Sequence, residues 1–111
     1  MNTKEYLSKF KGDIEKMKVH VGPALNGFAG LFSKVMAEDA LTVREKELIA
    51  IGIAVAKQCE PCIKLHVQKS LDAGATKEEI LDASGVAVMM GGGPAYTHVP
   101  VVIDALEELE S

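Results

Sequence analysis

The strongest structural signal in the chain is the sequence TVREKELIAIGIAVA, residues 42–56. Thr42 and Glu45 have the spacing of a capping box, in which each side chain accepts a hydrogen bond from a backbone N–H of the other residue. The residues that follow are apolar on almost every side, so a helix here needs other helices or other subunits around it. The β-branched residues would also suit a strand, but the cap and the length favour a central helix.

Two helical patterns precede this segment. The first, with Asn2 or Thr3 as its N-cap, predicts an amphipathic helix whose inward residues are Tyr6, Leu7, Phe10, Ile14 and Met17. The second starts near Pro23, at an early helical position where the missing N–H does no harm. Its predicted inward residues are Leu25, Phe28, Phe32, Val35 and Met36.

Three further helices are predicted after residue 56. The first covers residues 61–73 and stops at Gly74. A second capping box, Thr76 with Glu79, opens the next helix, whose inward residues are Ile80, Leu81, Val86, Ala87 and Met90. A Gly-Gly-Gly-Pro turn at residues 91–94 leads to a last helix, which Pro100 either kinks or delays. Its predicted inward residues are Val99, Val102, Ile103, Leu106 and Leu109. We therefore predict an all-α bundle of about six helices, in one domain over residues 1–111.

Composition narrows the classes of partner and compartment. The net charge is −4 and the lysines are dispersed among acids, so we expect no nucleic-acid partner. The longest apolar run, residues 48–56, is too short to span a bilayer, and residues 1–7 do not have the pattern of a signal peptide. We expect a cytoplasmic protein without a membrane partner, in which paired cysteines are more often catalytic or metal-binding than structural.

The chemical signal is QCEPCIKLH, residues 58–66, which contains both cysteines of the chain. A C-x-x-C pair can form and open a disulfide by local rotation. Cys62 falls in the first turn of the predicted helix, where free N–H groups and the helix dipole stabilise a thiolate. His66 lies one turn further on the same face, where an imidazole can accept the thiol proton. The spacing indicates thiol redox chemistry assisted by His66.

Other interpretations of these residues stay open at this level. The cysteines could be buried thiols, or a stabilising disulfide, although so short a loop is worth only roughly 2 kcal/mol in the chain-entropy model. In a non-redox alternative the chain is a metal-binding oligomeric scaffold, in which zinc is held by Cys59, Cys62 and His66, with a fourth ligand from His20, His98 or an acid. A second C-x-x-C or His pair at ligand spacing is absent from the sequence. We therefore expect no resident metal and no cofactor.

Glu47 shares a helical stripe with Ile51, Ala54 and Gln58, so its carboxylate is either a buried proton acceptor or an exposed first-turn acid. Spacing alone favours the exposed acid. Helical rise separates Glu47 from Gln58 by roughly 16 Å. Contact with the cysteines therefore requires the next helix to fold back, or a neighbouring subunit.

Taken together, Glu47, Cys59, Cys62 and His66 form a pattern that resembles the AhpD-like, carboxymuconolactone decarboxylase family. The likeness covers about half the chain, from residues 42–47 through the cysteine motif and residues 74–80 to residues 91–94. The resemblance implies an all-helical homotrimer or homohexamer with peroxidase or disulfide-reductase activity. By position, it makes Cys62 the attacking cysteine, Cys59 the resolving one, and Glu47 and His66 a proton relay. An external dithiol or redox protein would be the reductant.

One departure from the family pattern bears on the substrate. Alkylhydroperoxidase members commonly carry a His immediately before the second cysteine, where this chain has Pro61. The resemblance therefore leaves peroxides and disulfides as equal substrate candidates. The decarboxylase branch typically lacks the paired cysteines, which makes a lactone decarboxylase the weaker alternative.

Overall fold

The computed structural model of the protein describes residues 1–110, and these residues form helices and no strand. Five helices are long, and the fifth segment in order is a single turn. The segments are α1 Thr3–Met36, α2 Val43–Ala56, α3 Glu60–Asp72, α4 Lys77–Gly91, α5 Gly93–Tyr96 and α6 Val99–Glu110. The all-α prediction is confirmed. None of these helices is both long and apolar enough to cross a membrane.

The two helices predicted before residue 42 both form, and they join end to end across a kink as one element, α1. Asn2 caps its start, because the Asn2 side chain accepts the Glu5 N–H at 2.9 Å. The kink lies at Val21, whose φ of −136° and ψ of 33° are not helical. Pro23 follows two residues later, in the first turn of the second half, where the helix tolerates a missing N–H. Pro23 is thus compatible with the second half of α1, which continues to Met36.

Both capping boxes form as predicted and fix the starts of α2 and α4. The Thr42 hydroxyl accepts the Glu45 N–H at 3.1 Å, and the Glu45 carboxylate accepts the Thr42 N–H at 2.9 Å. Thr76 and Glu79 repeat this arrangement. The backbone N–H of the cap residue lowers the pKa of Glu45, and likewise that of Glu79. An ion pair from Arg44 to Glu79 then joins the two helix starts.

A tight turn at residues 57–59 reverses the chain between α2 and α3. Gln58 has a φ of 57°, in the left-handed region that side-chain-bearing residues seldom adopt. The Cys59 N–H donates to the Ala54 carbonyl at 3.1 Å, which binds the turn to the end of α2. The next helix starts at Glu60, one residue earlier than predicted, with Pro61 in its first turn. As a result α3 folds back against α2.

The core consists of one face from each of α2, α3, α4 and α6. Its fully buried large residues are Ile51, Val55, Ile63, Val67, Ile80, Val102 and Leu106. Several residues predicted to face inward are exposed in the single chain, so those assignments are wrong at this level. They are Met17, Phe28, Val35, Val86, Met90 and Ile103. The physical reason is that these helices carry apolar residues on two faces, and the chain itself covers only one.

The glycine run is a turn with close helix packing, as predicted. A Cβ at Gly91 would lie 2.9 Å from the Ala95 Cβ, so only glycine lets α4 and α5 approach this closely. Gly92 has a φ of 72°, which also favours glycine. Pro100 is the second residue of α6 and therefore belongs to its first turn. Of the two roles predicted for this proline, the delayed start is the correct one.

We predict that replacing two buried serines with alanine will change the free energy of unfolding by different amounts, so each variant is a control for the other. The Ser84 hydroxyl donates to the Ile80 carbonyl at 2.9 Å, whereas the Ser70 hydroxyl has no hydrogen-bond partner among residues 1–110. Ser84→Ala should lower the free energy of unfolding by about 1 kcal/mol relative to Ser70→Ala, since only Ser84 loses a hydrogen bond. Urea denaturation followed by circular dichroism measures the difference. Equal losses would contradict the assignment.

Candidate functional site

The two cysteines lie at the start of α3 and are joined by a disulfide, with their Cα atoms 5.2 Å apart. Both side chains are half-buried. Cys59 is the N-cap residue, and its sulfur accepts the Cys62 backbone N–H at 3.3 Å. Cys62 stands in the first turn, as predicted from the sequence. In this oxidised form the sulfur that receives a helix N–H is that of Cys59, and stabilisation of a reduced Cys62 thiolate stays a prediction.

Glu47 on α2 and His66 on the next helix, α3, contact each other inside the protein. The His66 Nδ1 lies 2.7 Å from the Glu47 Oε1, and the two side chains are only 12% and 5% exposed. Glu47 is therefore buried, and its interpretation as an exposed first-turn acid is wrong. The contact lies within one chain, because the turn at residues 57–59 brings α3 back along α2. Of the two routes that spacing left open, the structure shows the first, in which the next helix folds back.

The geometry of this pair defines what the imidazole can do. A carboxylate accepts hydrogen bonds, so the Glu47 contact places the proton of a neutral His66 on Nδ1. The other nitrogen, Nε2, then carries the lone pair and can accept a proton. His66 is four residues beyond Cys62 on α3, which is one helical turn on the same face. The arrangement places a base on the α3 face that also carries Cys62.

A third side chain, from α1, completes the surroundings of His66. The Phe32 ring stacks on the imidazole, with 6.0 Å between ring centroids and 20° between ring planes. The Lys69 ammonium lies 5.7 Å from the centre of the Phe32 ring. The apolar spacing of α1 predicts only a core-facing position for Phe32. No sequence signal indicated this contact, because the two rings are 34 residues apart along the chain.

His98 makes a contact elsewhere in the fold, and the described residues offer no cluster of metal ligands. The His98 Nδ1 binds the Pro94 carbonyl at 2.8 Å, a local contact at the end of the glycine turn. Within the described part of the chain, no group of three or more His, Cys, Asp and Glu side chains is placed to hold a metal ion. The zinc alternative, which needs a fourth ligand beside Cys59, Cys62 and His66, therefore gains no support from this geometry.

An apolar groove of about 440 Å³ runs between α2 and α4. Its lining residues are Leu48, Ile49, Gly52, Ile53, Ala56, Ala83, Val86, Ala87 and Met90. None of them has a titratable side chain. The groove therefore has apolar surface to offer but no acid or base of its own.

The protein is an all-helical bundle of the C-x-x-C class. Its cysteine pair lies at the start of α3, and a buried Glu–His pair lies between α2 and α3. Residues 22–103 match the model of the carboxymuconolactone decarboxylase family. The chain belongs to that family, as its sequence pattern had indicated.

Similar proteins support the family assignment. The chain is 34% identical to a carboxymuconolactone decarboxylase family protein of Legionella pneumophila, with a TM-score of 0.92 over 98% of this chain and 97% of that one. A Thermotoga maritima structure gives 28% identity and a TM-score of 0.91, covering 96% and 94% of the two chains. An uncharacterized protein from the cox locus of Paracoccus denitrificans is 39% identical over 77% of each chain.

Proposed function

We propose that the protein is a thiol–disulfide oxidoreductase in which Cys59 and Cys62 are the redox pair. The observation that carries the proposal is the position of this pair at the start of α3, one turn from His66, whose ring is hydrogen-bonded to buried Glu47. A partly exposed C-x-x-C at a helix start is suited to reversible disulfide chemistry. The disulfide seen in the structure corresponds to the oxidised state of the cycle.

The cycle begins when reduced Cys62 transfers its thiol proton to the Nε2 of His66. The Glu47 carboxylate stabilises the resulting imidazolium through the Nδ1 hydrogen bond, and it holds the ring in the tautomer that accepts a proton. The thiolate of Cys62 is then the nucleophile. In this scheme Glu47 and His66 act as the proton relay.

Two classes of substrate fit the next step. With a disulfide substrate, Cys62 displaces one sulfur to form a mixed disulfide, and Cys59 then attacks Cys62 to release the second thiol. With a peroxide, Cys62 takes one oxygen to become a sulfenic acid while the alcohol leaves. Cys59 then condenses with the sulfenic acid, releasing water. Both routes end in the Cys59–Cys62 disulfide.

An external dithiol or redox protein restores the thiols. Its thiolate attacks the sulfur of Cys62, and the electrons of the broken bond leave on Cys59. The Cys62 N–H points at the sulfur of Cys59 and stabilises this leaving thiolate. A second thiol of the reductant then releases Cys62. We keep cytoplasmic location as a prediction, since a reducing compartment supplies such dithiols.

One similar protein supports the redox proposal. An antioxidative role has been suggested for the Thermotoga maritima protein. One of its structures is 31% identical to this chain, and the match covers 78% of this chain and 90% of that one. Pro61, in place of the histidine common in alkylhydroperoxidases, keeps disulfides level with peroxides as substrates. A lyase activity in the apolar groove is the weaker alternative, because the groove lining has no acid or base.

We predict that thiol mapping will separate the roles of the two cysteines. Treating the reduced protein with peroxide or an oxidised dithiol should produce the Cys59–Cys62 disulfide. Cys59→Ser should stop at a sulfenic acid or mixed disulfide on Cys62, because no resolving thiol remains. Cys62→Ser should lose turnover, because Cys59 has no histidine one turn away. Mass mapping of trapped species measures both outcomes.

The result that would contradict the proposal is equally direct. Failure of the wild type to form the disulfide, or full turnover by Cys62→Ser, would overturn it. Activity that survives loss of both cysteines would favour the lyase alternative. About one equivalent of zinc bound to protected thiols would favour the metal-binding scaffold.

We also propose that copies of this chain associate through the groove between α2 and α4, as a homotrimer or homohexamer. The side chains along it expose large apolar areas, with Ile53 54%, Val86 58% and Met90 77% exposed. A contiguous apolar surface of this kind is typical of a protein–protein interface. Since no titratable side chain lines the groove, an apolar surface of a second copy is the occupant that matches its chemistry.

Light scattering coupled to size-exclusion chromatography tests this association. The wild type should elute with three or six times the 11.8 kDa mass of one chain. Ile53→Glu should shift it to smaller species, because the new carboxylate would be desolvated at the interface. Leu41→Glu places the same charge on an exposed residue outside the groove and should leave the mass unchanged. A monomeric wild type would contradict the proposal.

A further inference from the structure

We propose that Phe32 is a positioning residue for His66, and that Lys46 holds Phe32 in place. This inference rests on the proposed redox function, and it adds to the site a residue from α1. The site residues predicted from the sequence all lie on α2 or at the start and along the length of α3. In the structure, a third helix supplies a ring that stacks on the imidazole with a lateral offset.

The contacts at His66 constrain the ring in two different directions. The Glu47 hydrogen bond fixes one edge of the imidazole, at Nδ1, but leaves the ring free to rock about the line from Nδ1 to Oε1. The Phe32 ring lies against the face, at the separation and tilt of an offset stack. A ring held at one edge and one face keeps Nε2 in a fixed direction. Phe32 thereby complements Glu47.

The helix that carries Phe32 is itself anchored beside the site. The Lys46 ammonium donates to the Val35 carbonyl at 2.7 Å and to the Ala37 carbonyl at 2.6 Å. These carbonyls lie at the end of α1, one turn beyond Phe32, where a cation also offsets the negative end of the helix dipole. Two adjacent residues of α2 therefore hold the two stacked rings. Glu47 binds His66 directly, and Lys46 binds the end of α1, the helix that carries Phe32.

The same helix provides a matched control. Phe28 is one turn before Phe32 but is 67% exposed, so its ring does not share the burial of the stacked ring. Phe28→Leu and Phe32→Leu make the same chemical change in the same half of α1. Any effect of helix propensity is therefore shared, and the variants differ in burial and in the contacts of Phe32 with His66 and Lys69. Phe32→Tyr keeps the ring and serves as the conservative variant.

Two readouts on the reduced protein test the proposal. The first is the alkylation rate of Cys62 by iodoacetamide in a Cys59→Ser background. The second is the share of the Nδ1–H tautomer of His66, from ¹⁵N NMR. Phe32→Leu should slow alkylation roughly two- to tenfold and reduce the Nδ1–H share, since the stack no longer holds the ring. Phe32→Tyr and Phe28→Leu should stay close to the parent.

Unchanged alkylation and tautomer in Phe32→Leu would overturn the proposal, and so would an equal effect of Phe28→Leu. If Phe32→Leu lacks the circular dichroism spectrum of the parent, Lys46→Met carries the test: a change in both readouts supports the proposal and no change overturns it. The tautomer is read without turnover. A wild type without redox activity, but with a Phe32-dependent tautomer, would refute the function and keep the positioning role. Normal turnover in both the wild type and Phe32→Leu would keep the redox function and refute the positioning role.

Discussion

The tight turn at residues 57–59 is the constraint on which the rest of the site depends. With Gln58 in the left-handed region, α3 reverses direction and packs along α2. The reversal makes Cys59 the N-cap of α3 and carries His66 back to Glu47, across a separation of 19 residues in sequence. A straighter connection would leave the cysteines at a helix start but without the carboxylate. The turn therefore converts a sequence motif into a spatial group.

The buried Glu–His pair requires this geometry for energetic reasons as well. A carboxylate at 5% exposure is costly unless it is hydrogen-bonded, since burial removes its water. The His66 Nδ1–H supplies that hydrogen bond at 2.7 Å. Removing one partner of such a pair typically costs several kcal/mol, because the other is left buried and unsatisfied. Glu47 and His66 are therefore interdependent, and Phe32 closes one face of their environment.

The parts of this structure that the sequence predicts are those controlled by local chemistry. Capping boxes at Thr42 and Thr76 give correct helix starts, because cap hydrogen bonds form within four residues. Helix faces are predicted less well: Phe28 and Val86 satisfy the apolar period, but the single chain leaves them exposed. The cysteine motif and His66 are local, so their spacing predicted a shared site.

Contacts between helices were harder to predict. Burial of Glu47 depends on the reversal at Gln58, a conformation that glycine would have indicated and glutamine did not. The Phe32 stack joins the half of α1 that follows the bend at Val21 to α3, a pairing that the local sequence does not indicate.

The most direct test of the account is a double-mutant cycle between Glu47 and His66, read as the alkylation rate of Cys62 in a Cys59→Ser background. Glu47→Gln and His66→Gln should each slow alkylation about 100-fold, the lower end of the contribution of a positioned acid or base, and the double variant should be no slower than the slower single one. That non-additivity is expected because Glu47 acts on Cys62 only through His66. Losses that multiply, or an unchanged rate in either single variant, would contradict the relay.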